Sequence, residues 1–131
     1  SDPAMWLMKV LARPMFAQLM GVPAGFPRGP QDAAVMDRML ESIFPIGPRV
    51  AGAVVDAYRA NPEITEYPFE ALQVPTLVVH ATDDPLASYD AAAAAAARIP
   101  GARLVSLDSG GHLQFGQTER VRSEIAAFLA S

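Results

Sequence analysis

The sequence predicts an α/β fold in which a helical region is followed by a β-α-β-α unit with parallel strands. In residues 5–60, apolar residues recur at helical spacing between Gly and Pro residues, and no β-branched run is long enough to form a strand. In the rest of the chain, two short β-branched runs, 76–80 and 103–107, alternate with helical segments. Such alternation is typical of a parallel sheet. We therefore divide the chain into a helical region, residues 5–65, and an α/β region, residues 66–131.

Composition and charge exclude several classes of protein. The 131 residues, 51% of them hydrophobic, suffice for one domain with a modest core. The formal net charge of -4 leaves no basic face for a nucleic-acid backbone, so we expect no nucleic-acid partner. Lys9, Arg13 and several prolines interrupt the apolar stretches before they reach the roughly 20 residues of a membrane span. We therefore expect a soluble protein with no membrane span.

Cysteine is absent from the chain. This excludes disulfides, catalysis by cysteine and zinc sites built on thiolates. It also agrees with a reducing compartment, so we expect a cytoplasmic protein. Two histidines do not make a metal site, and we expect no metal and no cofactor.

Three helices are predicted in the helical region. The first carries an apolar face over residues 6–11 and should end or kink at Pro14. The second has Asp32 near its start, where a carboxylate favours the positive end of the helix dipole. The third begins near Pro48, a good first-turn residue. The apolar faces of the second and third helices consist of Val35, Met36, Met39, Leu40, Ile43, Val50, Val54, Ala57 and Tyr58.

The α/β region is predicted to contain two strands and two helices. The strand over 76–80 should be buried on both faces, because its residues are continuously apolar. Ser88 is a suitable N-cap for a helix that runs through the alanine tract to Ile99, and the second strand follows at 103–107. Thr118 is predicted to cap the final helix. Its buried stripe should consist of Val121, Ile125, Phe128 and Leu129.

Two parallel strands do not form a complete sheet. Each leaves apolar faces and an unpaired edge that other residues must cover. We expect the remaining strands to come from residues N-terminal to this chain, from a partner chain, or from strand exchange between copies.

Polar side chains follow both predicted strands at the point where each strand ends. Asp83 and Asp84 follow the first strand, and His112 follows the second. The carboxyl ends of parallel strands form the edge where open sheets bind ligands, and adjacent strands would bring the two loops side by side. An aspartate that faces a histidine is the orienting half of a catalytic triad. Either loop alone would be an ordinary turn, but the two together favour a triad.

Three segments of the α/β region resemble the closing section of α/β-hydrolases: Val74–Leu86 (VPTLVVHATDDPL), Ile99–Val105 (IPGARLV) and Gly110–Leu113 (GGHL). The order also fits, because triads of this fold run nucleophile, acid, histidine along the chain. The resemblance implies that Asp84 is the triad acid and His112 the general base. It covers residues 66–131, whereas the helical region resembles only the lid that many members insert, so we expect a partial α/β-hydrolase fold.

The sequence departs from the family pattern at two points. Ala81 stands where the family usually has glycine. The nucleophile motif Gly-x-Ser-x-Gly does not occur in the 131 residues, and the oxyanion-hole segment that precedes it in the family is also missing. Acid and base without a nucleophile should leave almost no activity. The serines of the chain are residues 1, 42, 88, 106, 109, 123 and 131.

Several other residues have two interpretations. Asp83 is the competing acid, and we expect it to face solvent or to bind turn amides. We interpret His80 as a structural, neutral imidazole rather than a ligand.

Gln114 and Phe115 border a substrate pocket or cap the last helix, and we favour the cap. The methionines at 5, 8, 15, 20, 36 and 39 pack in a core against the absent strands or line a deformable acyl pocket.

The resemblance implies that the parent protein hydrolyses a small or medium, fairly apolar ester-like substrate through an acyl-enzyme, with Asp84 and His112 serving a serine outside this chain. Dehalogenases, C–C bond hydrolases, perhydrolases and thioesterases share this closing section. The fragment alone should be inactive. The alternative is a non-catalytic assembly or binding module that dimerises through its sheet edge and lid helices. We expect a homo-oligomer or strand exchange that completes the sheet. A module should form a dimer of fixed stoichiometry, whereas a hydrolase fragment should be sticky or strand-swapped unless its other half is supplied.

Overall fold

The computed structural model describes residues 7, 10, 11, 13–43, 47–56 and 67–131. Its helical region contains α1 (Arg13–Leu19), α2 (Pro30–Ile43) and α3 (Val50–Val55), and a short 3-10 helix (Gly47–Arg49) leads into α3. Residues 7, 10 and 11 are also helical. None of the helices in these ranges is both long enough and apolar enough to cross a membrane.

The first helices begin at residues that suit a first turn. Pro14 is the second residue of α1, and Pro30 is the first residue of α2, where a missing N–H costs no helical hydrogen bond. Asp32 lies in the first turn of α2, as predicted. The predictions for Met5, Trp6, Met8, Ala57 and Tyr58 lie outside the described residues.

The α/β region has the predicted order of elements. A 3-10 helix (Phe69–Ala71) precedes β1 (Leu77–Ala81), α4 (Tyr89–Arg98), β2 (Arg103–Leu107) and α5 (Thr118–Leu129). The two strands pair in parallel, with Leu77 opposite Arg103 and Ala81 opposite Leu107. The predicted fold class, a partial α/β fold with parallel strands, is therefore confirmed.

The connection between the strands is set by local sequence. Ser88 is the N-cap of α4, and its side chain accepts a hydrogen bond from the amide of Ala91 at 3.3 Å. Gly101 has a φ of +70°, which lets the chain turn sharply from α4 into β2. Within α4, Ala96 is buried, because a small side chain permits close approach to the sheet.

A first hydrophobic core lies on the sheet. Ala81, Val105 and Leu107 are buried, and Leu107 is 0% exposed. Half-buried Leu77, Val79 and Val121 pack against them. The expectation that the first strand is buried on both faces is only partly met, because Leu77 to His80 are half-buried within the described chain.

A second hydrophobic core joins the helical region to the α/β region. Ala17, Val22, Met36 and Leu40 come from the helical region, and Phe115 comes from the loop after β2. Phe115 is only 2% exposed. Our preference for Phe115 as a cap of the last helix is therefore wrong, because its ring is an anchor that inserts between the helices.

The predictions for α5 need two corrections. Thr118 is the first residue of the helix, and Gln117 occupies the N-cap without a side-chain cap bond. The apolar stripe is not buried, because Ile125 is 42% and Leu129 is 77% exposed. Only one residue of this stripe, the half-buried Val121, packs against the core on the sheet.

We predict that Leu107→Ala lowers the free energy of unfolding by roughly 2–5 kcal/mol, because it opens a cavity at a fully buried position. Leu129→Ala is the matched control and should change it by less than about 0.5 kcal/mol, because Leu129 is exposed. Urea unfolding of the two variants measures the difference. Equal losses would show that the core does not lie at Leu107.

Candidate active site

The loops after β1 and β2 lie side by side because the two strands end at the same level of the sheet. We name residues 82–88 the acid loop and residues 108–116 the histidine loop. The Thr82 amide donates to the carbonyl of Leu107 at 2.8 Å, and the Thr82 hydroxyl donates to the carbonyl of Asp108 at 3.1 Å. These bonds join the two loops at their first residues.

Asp84 has a side chain that is fixed on both oxygens. Oδ1 accepts the amide of Leu86 at 2.8 Å and the amide of Ala87 at 3.1 Å. Oδ2 lies 2.9 Å from Nδ1 of His112. The side chain is 4% exposed. The local turn therefore aims one carboxylate oxygen at the imidazole.

The ring of His112 faces Asp84 with Nδ1 and faces the surroundings with Nε2. With Nδ1 donating to Asp84, the neutral ring carries its proton on Nδ1 and has a lone pair on Nε2. Within the described residues, Nε2 makes no hydrogen bond, and the side chain is 46% exposed. The ring is thus oriented as a general base requires, with its accepting nitrogen accessible.

The carboxyl group of Asp84 is stabilised as an anion. Partial burial raises its pKa, but the amide of Ala87, the imidazole of His112 and the amide of Leu86 together outweigh burial, and the pKa lies below its ordinary value. Asp84 is therefore ionised at neutral pH and can stabilise an imidazolium on His112.

Asp83, the competing acid, binds the backbone of the histidine loop. Its Oδ1 accepts the amide of Gly111 at 2.8 Å, and its Oδ2 accepts the amide of Gly110 at 3.2 Å. Of the two alternatives for Asp83, the structure shows the bond to turn amides. Adjacent carboxylates therefore have different partners: Asp83 holds the main chain of the loop and Asp84 holds the ring of His112.

The histidine loop requires glycine where it meets the helical region. Gly111 has a φ of +59°, and an added Cβ would lie 2.3 Å from the carbonyl oxygen of Gly21. A Cβ on Gly21 would lie 2.4 Å from Cβ of His112. Since real Cβ atoms do not approach this closely, both positions exclude larger residues while the two segments stay in contact.

His80 lies next to this pair but makes no hydrogen bond with it. Its Nδ1 donates to the carbonyl of Ala81 at 2.9 Å, and its ring meets Tyr89 edge to face. Its Nε2 lies 3.7 Å from Oδ2 of Asp84, beyond hydrogen-bond distance. These contacts agree with a structural imidazole. No group of three or more His, Asp or Glu side chains in the described ranges converges so that it could hold a metal ion.

The helical region makes two polar contacts with the histidine loop that sequence reasoning missed. The carbonyl of Gly21 accepts the amide of His112 at 2.9 Å. Asp32 accepts the amide of Gly29 at 3.0 Å and the amide of Gly116 at 3.1 Å. A carboxylate near the start of a helix is already accounted for by the helix dipole, and a glycine in a loop is ordinary. The sequence at Asp32 and Gly21 therefore does not indicate a distant partner.

A cleft of about 460 Å³ lies between the first turns of α2 and α5 and reaches Gly116 at the end of the histidine loop. Neither Asp84 nor His112 contributes to its wall, so we do not assign it as the substrate site. Its lining residues are Gly29, Pro30, Gln31, Asp32, Gly116, Thr118 and Glu119.

The sequence was also compared with known protein families. The sequence model of the TAP-like protein family (Abhydrolase_4) matches residues 54–131, which is more than half of the chain. The chain belongs to this α/β-hydrolase family. No curated protein and no solved structure gives a match. The family resemblance predicted from the sequence is thus confirmed, and the matched segment contains Asp84 and His112, whose catalytic roles stay predictions.

The lowered pKa of Asp84 gives a pH-dependent contribution to stability. Because the pKa is lower in the folded than in the unfolded chain, the contribution is complete above the unfolded value of about 3.9 and is lost as the pH falls through the folded value. We predict that the stability difference between the wild type and Asp84→Asn shrinks from about pH 5 downwards. Urea unfolding over that range measures it. A difference that stays constant with pH would contradict the assignment.

The bonds of Asp83 predict a change in hydrogen exchange. The two amides bond different oxygens of Asp83, and asparagine has an NH₂ group in place of one of them, so in the same side-chain geometry Asp83→Asn keeps only one of the two bonds. We expect the Gly110 or Gly111 amide to exchange roughly tenfold faster or more, because a buried donor loses its partner. Asp108→Asn, at an exposed residue of the same loop, is the control. Unchanged protection in Asp83→Asn would exclude these bonds.

Proposed function

We propose that this chain supplies the acid and the general base of a serine-type triad in an α/β-hydrolase that cleaves fairly apolar, ester-like substrates. The observation that carries the proposal is the 2.9 Å hydrogen bond between Asp84 Oδ2 and His112 Nδ1, with Nε2 left accessible. The two residues follow adjacent parallel strands in the order that triads of this family require.

The geometry supports a defined sequence of proton transfers. Nε2 of His112 takes the proton of a serine hydroxyl while the serine oxygen attacks the ester carbonyl carbon, and it then protonates the departing alcohol. Water attacks the acyl-enzyme next, and Nε2 takes a proton from the water and returns it to the serine. Asp84 keeps the Nδ1 tautomer and stabilises the imidazolium without accepting the proton.

The proposed nucleophile comes from polypeptide outside this chain. The serines close to the site have other partners: Ser88 caps α4, Ser106 bonds Tyr89, and Ser109 accepts Gln117. None of the serines has the flanking glycines of a strand-to-helix elbow. The proposed arrangement therefore pairs this chain with a nucleophile-bearing segment or subunit that also extends the sheet.

The preference for apolar substrates is supported by the side chains next to His112. Leu86 is 54% exposed, and a Cβ on Gly21 would meet both the Leu86 side chain and Cβ of His112, so the leucine lies near the base of the His112 side chain. Leu113 follows His112 and is half-buried. An acyl chain that approaches Nε2 would therefore meet hydrocarbon.

The test is hydrolysis of p-nitrophenyl acetate and butyrate by the longest polypeptide that the reading frame encodes. We predict turnover with a burst of one p-nitrophenol per active site, and no turnover by the 131-residue chain alone. Asp84→Asn and His112→Ala should lower kcat on the order of ten-thousand-fold, because triad residues act as a unit. Asp108→Asn is the control. Full activity in His112→Ala would overturn the proposal.

The second candidate is an assembly module without catalysis. Exposed apolar side chains on three helical segments favour it: Leu11 is 71%, Leu19 is 66% and Leu129 is 77% exposed. Sedimentation distinguishes the candidates, because a module forms a dimer of fixed stoichiometry that is inactive in every form. A longer product that hydrolyses esters excludes the module.

A further inference from the structure

The histidine loop is held by side chains and main chain from both regions of the protein. From the end of β1, Asp83 binds the amides of Gly110 and Gly111, and the carbonyl of Val79 accepts Gln114 Nε2 at 3.3 Å. From the helical region, Gly21 and Asp32 bind the amides of His112 and Gly116. The position of His112 thus depends on the helical region as well as on the sheet.

Asp32 has two separate tasks on its two oxygens. Asp32 is the third residue of α2, and its Oδ2 accepts a hydrogen bond from the amide of Gly29. In a capping box, the side chain of the third helical residue makes this same bond to the N-cap residue. Its Oδ1 accepts the amide of Gly116, 84 residues away, at 3.1 Å. The cap alone would explain an acidic residue here, but it does not explain the second bond.

The burial of Asp32 makes the second bond hard to replace. The residue is 7% exposed. A carboxylate that leaves water needs hydrogen-bond donors on both oxygens, and here the donors are two backbone amides. If the histidine loop moved away, Oδ1 would lose the amide of Gly116 as its hydrogen-bond donor.

The bond at Gly116 acts on a loop that is closed on itself. The amide of Phe115 donates to the carbonyl of Gly110 at 2.9 Å, and the amide of Gln114 donates to the carbonyl of Gly111 at 3.1 Å. The ring of Phe115, next to Gly116, is buried among the lid helices. A restraint at Gly116 therefore restrains the whole turn that contains His112.

We propose that Asp32 is a positioning residue for the general base: its carboxylate ties the lid to the histidine loop and thereby keeps Nδ1 of His112 in register with Asp84. This inference rests on the proposed function. In this arrangement, α2 of the helical region is tied to the histidine loop and does not move independently of His112.

The test compares three variants of the full chain by NMR with uniform ¹⁵N labelling, which reports both the Gly116 amide and the ring nitrogens of His112. Asp32→Asn replaces one accepting oxygen by an NH₂ group. Asp32→Glu keeps the cap on Gly29, because glutamate is the favoured third residue of a capping box, but its extra methylene moves the second oxygen away from Gly116. Asp37→Asn is the matched control, since Asp37 lies on the same helix and forms an exposed ion pair with Arg13.

Two readouts separate positioning from simple stabilisation. We expect both Asp32 variants to lose exchange protection at the Gly116 amide and to shift or broaden the Nδ1 proton resonance of His112, with Asp37→Asn unchanged in both. His80 serves as an internal reference, because its Nδ1 bonds Ala81 instead. In an active longer product, Asp32→Glu should lower kcat roughly 10- to 100-fold with little change in KM.

Two results would overturn the inference in distinguishable ways. If Gly116 loses protection while the His112 resonance stays at its wild-type position, Asp32 is a structural residue only and the proposed function is untouched. If the wild type itself shows no Nδ1 proton bonded to a carboxylate, the acid and base are not paired, and the proposed function fails together with the role of Asp32. Because Asp32→Glu keeps the helix cap, it carries the test if Asp32→Asn does not fold.

Discussion

The parallel pairing of β1 with β2 is the constraint on which the site depends. Ala81 and Leu107 end the two strands opposite each other, so the acid loop and the histidine loop leave the sheet at the same edge. A shift of one residue in this register would rotate every side chain of one strand to the other face and would remove Leu107 from the core. The hydrophobic core under the strands therefore also sets the distance between Asp84 and His112.

Two neighbouring carboxylates show how much of the site is devoted to holding one imidazole. Asp83 binds the main chain of the histidine loop, whereas Asp84 binds the ring and is itself fixed by two amides of its own turn. The helical region adds Gly21 and the ring of Phe115 from the opposite side. The orientation of the His112 ring is thus fixed by contacts within this chain, as its proposed role of general base requires.

Features with local causes could be predicted from the sequence. The strand Arg103–Leu107, the cap at Ser88 and the helix that follows it are encoded by residues that lie next to each other. The distant partner of Asp32 could not be predicted, because it lies far along the chain and the residue already had a local explanation. The stripe of α5 was predicted as buried because helical spacing indicates an apolar face but not whether the sheet is wide enough to cover it.

The proposed pairing of Asp84 and His112 with a nucleophile outside this chain can be tested directly. The measurement is a crystal structure of the longest product of the reading frame, with its nucleophile covalently labelled by an alkyl phosphonate. We expect the labelled side-chain oxygen to lie within hydrogen-bond distance of His112 Nε2, about 3 Å, while Nδ1 still bonds Asp84. A label on a residue remote from His112, or a His112 ring turned away from Asp84, would contradict it.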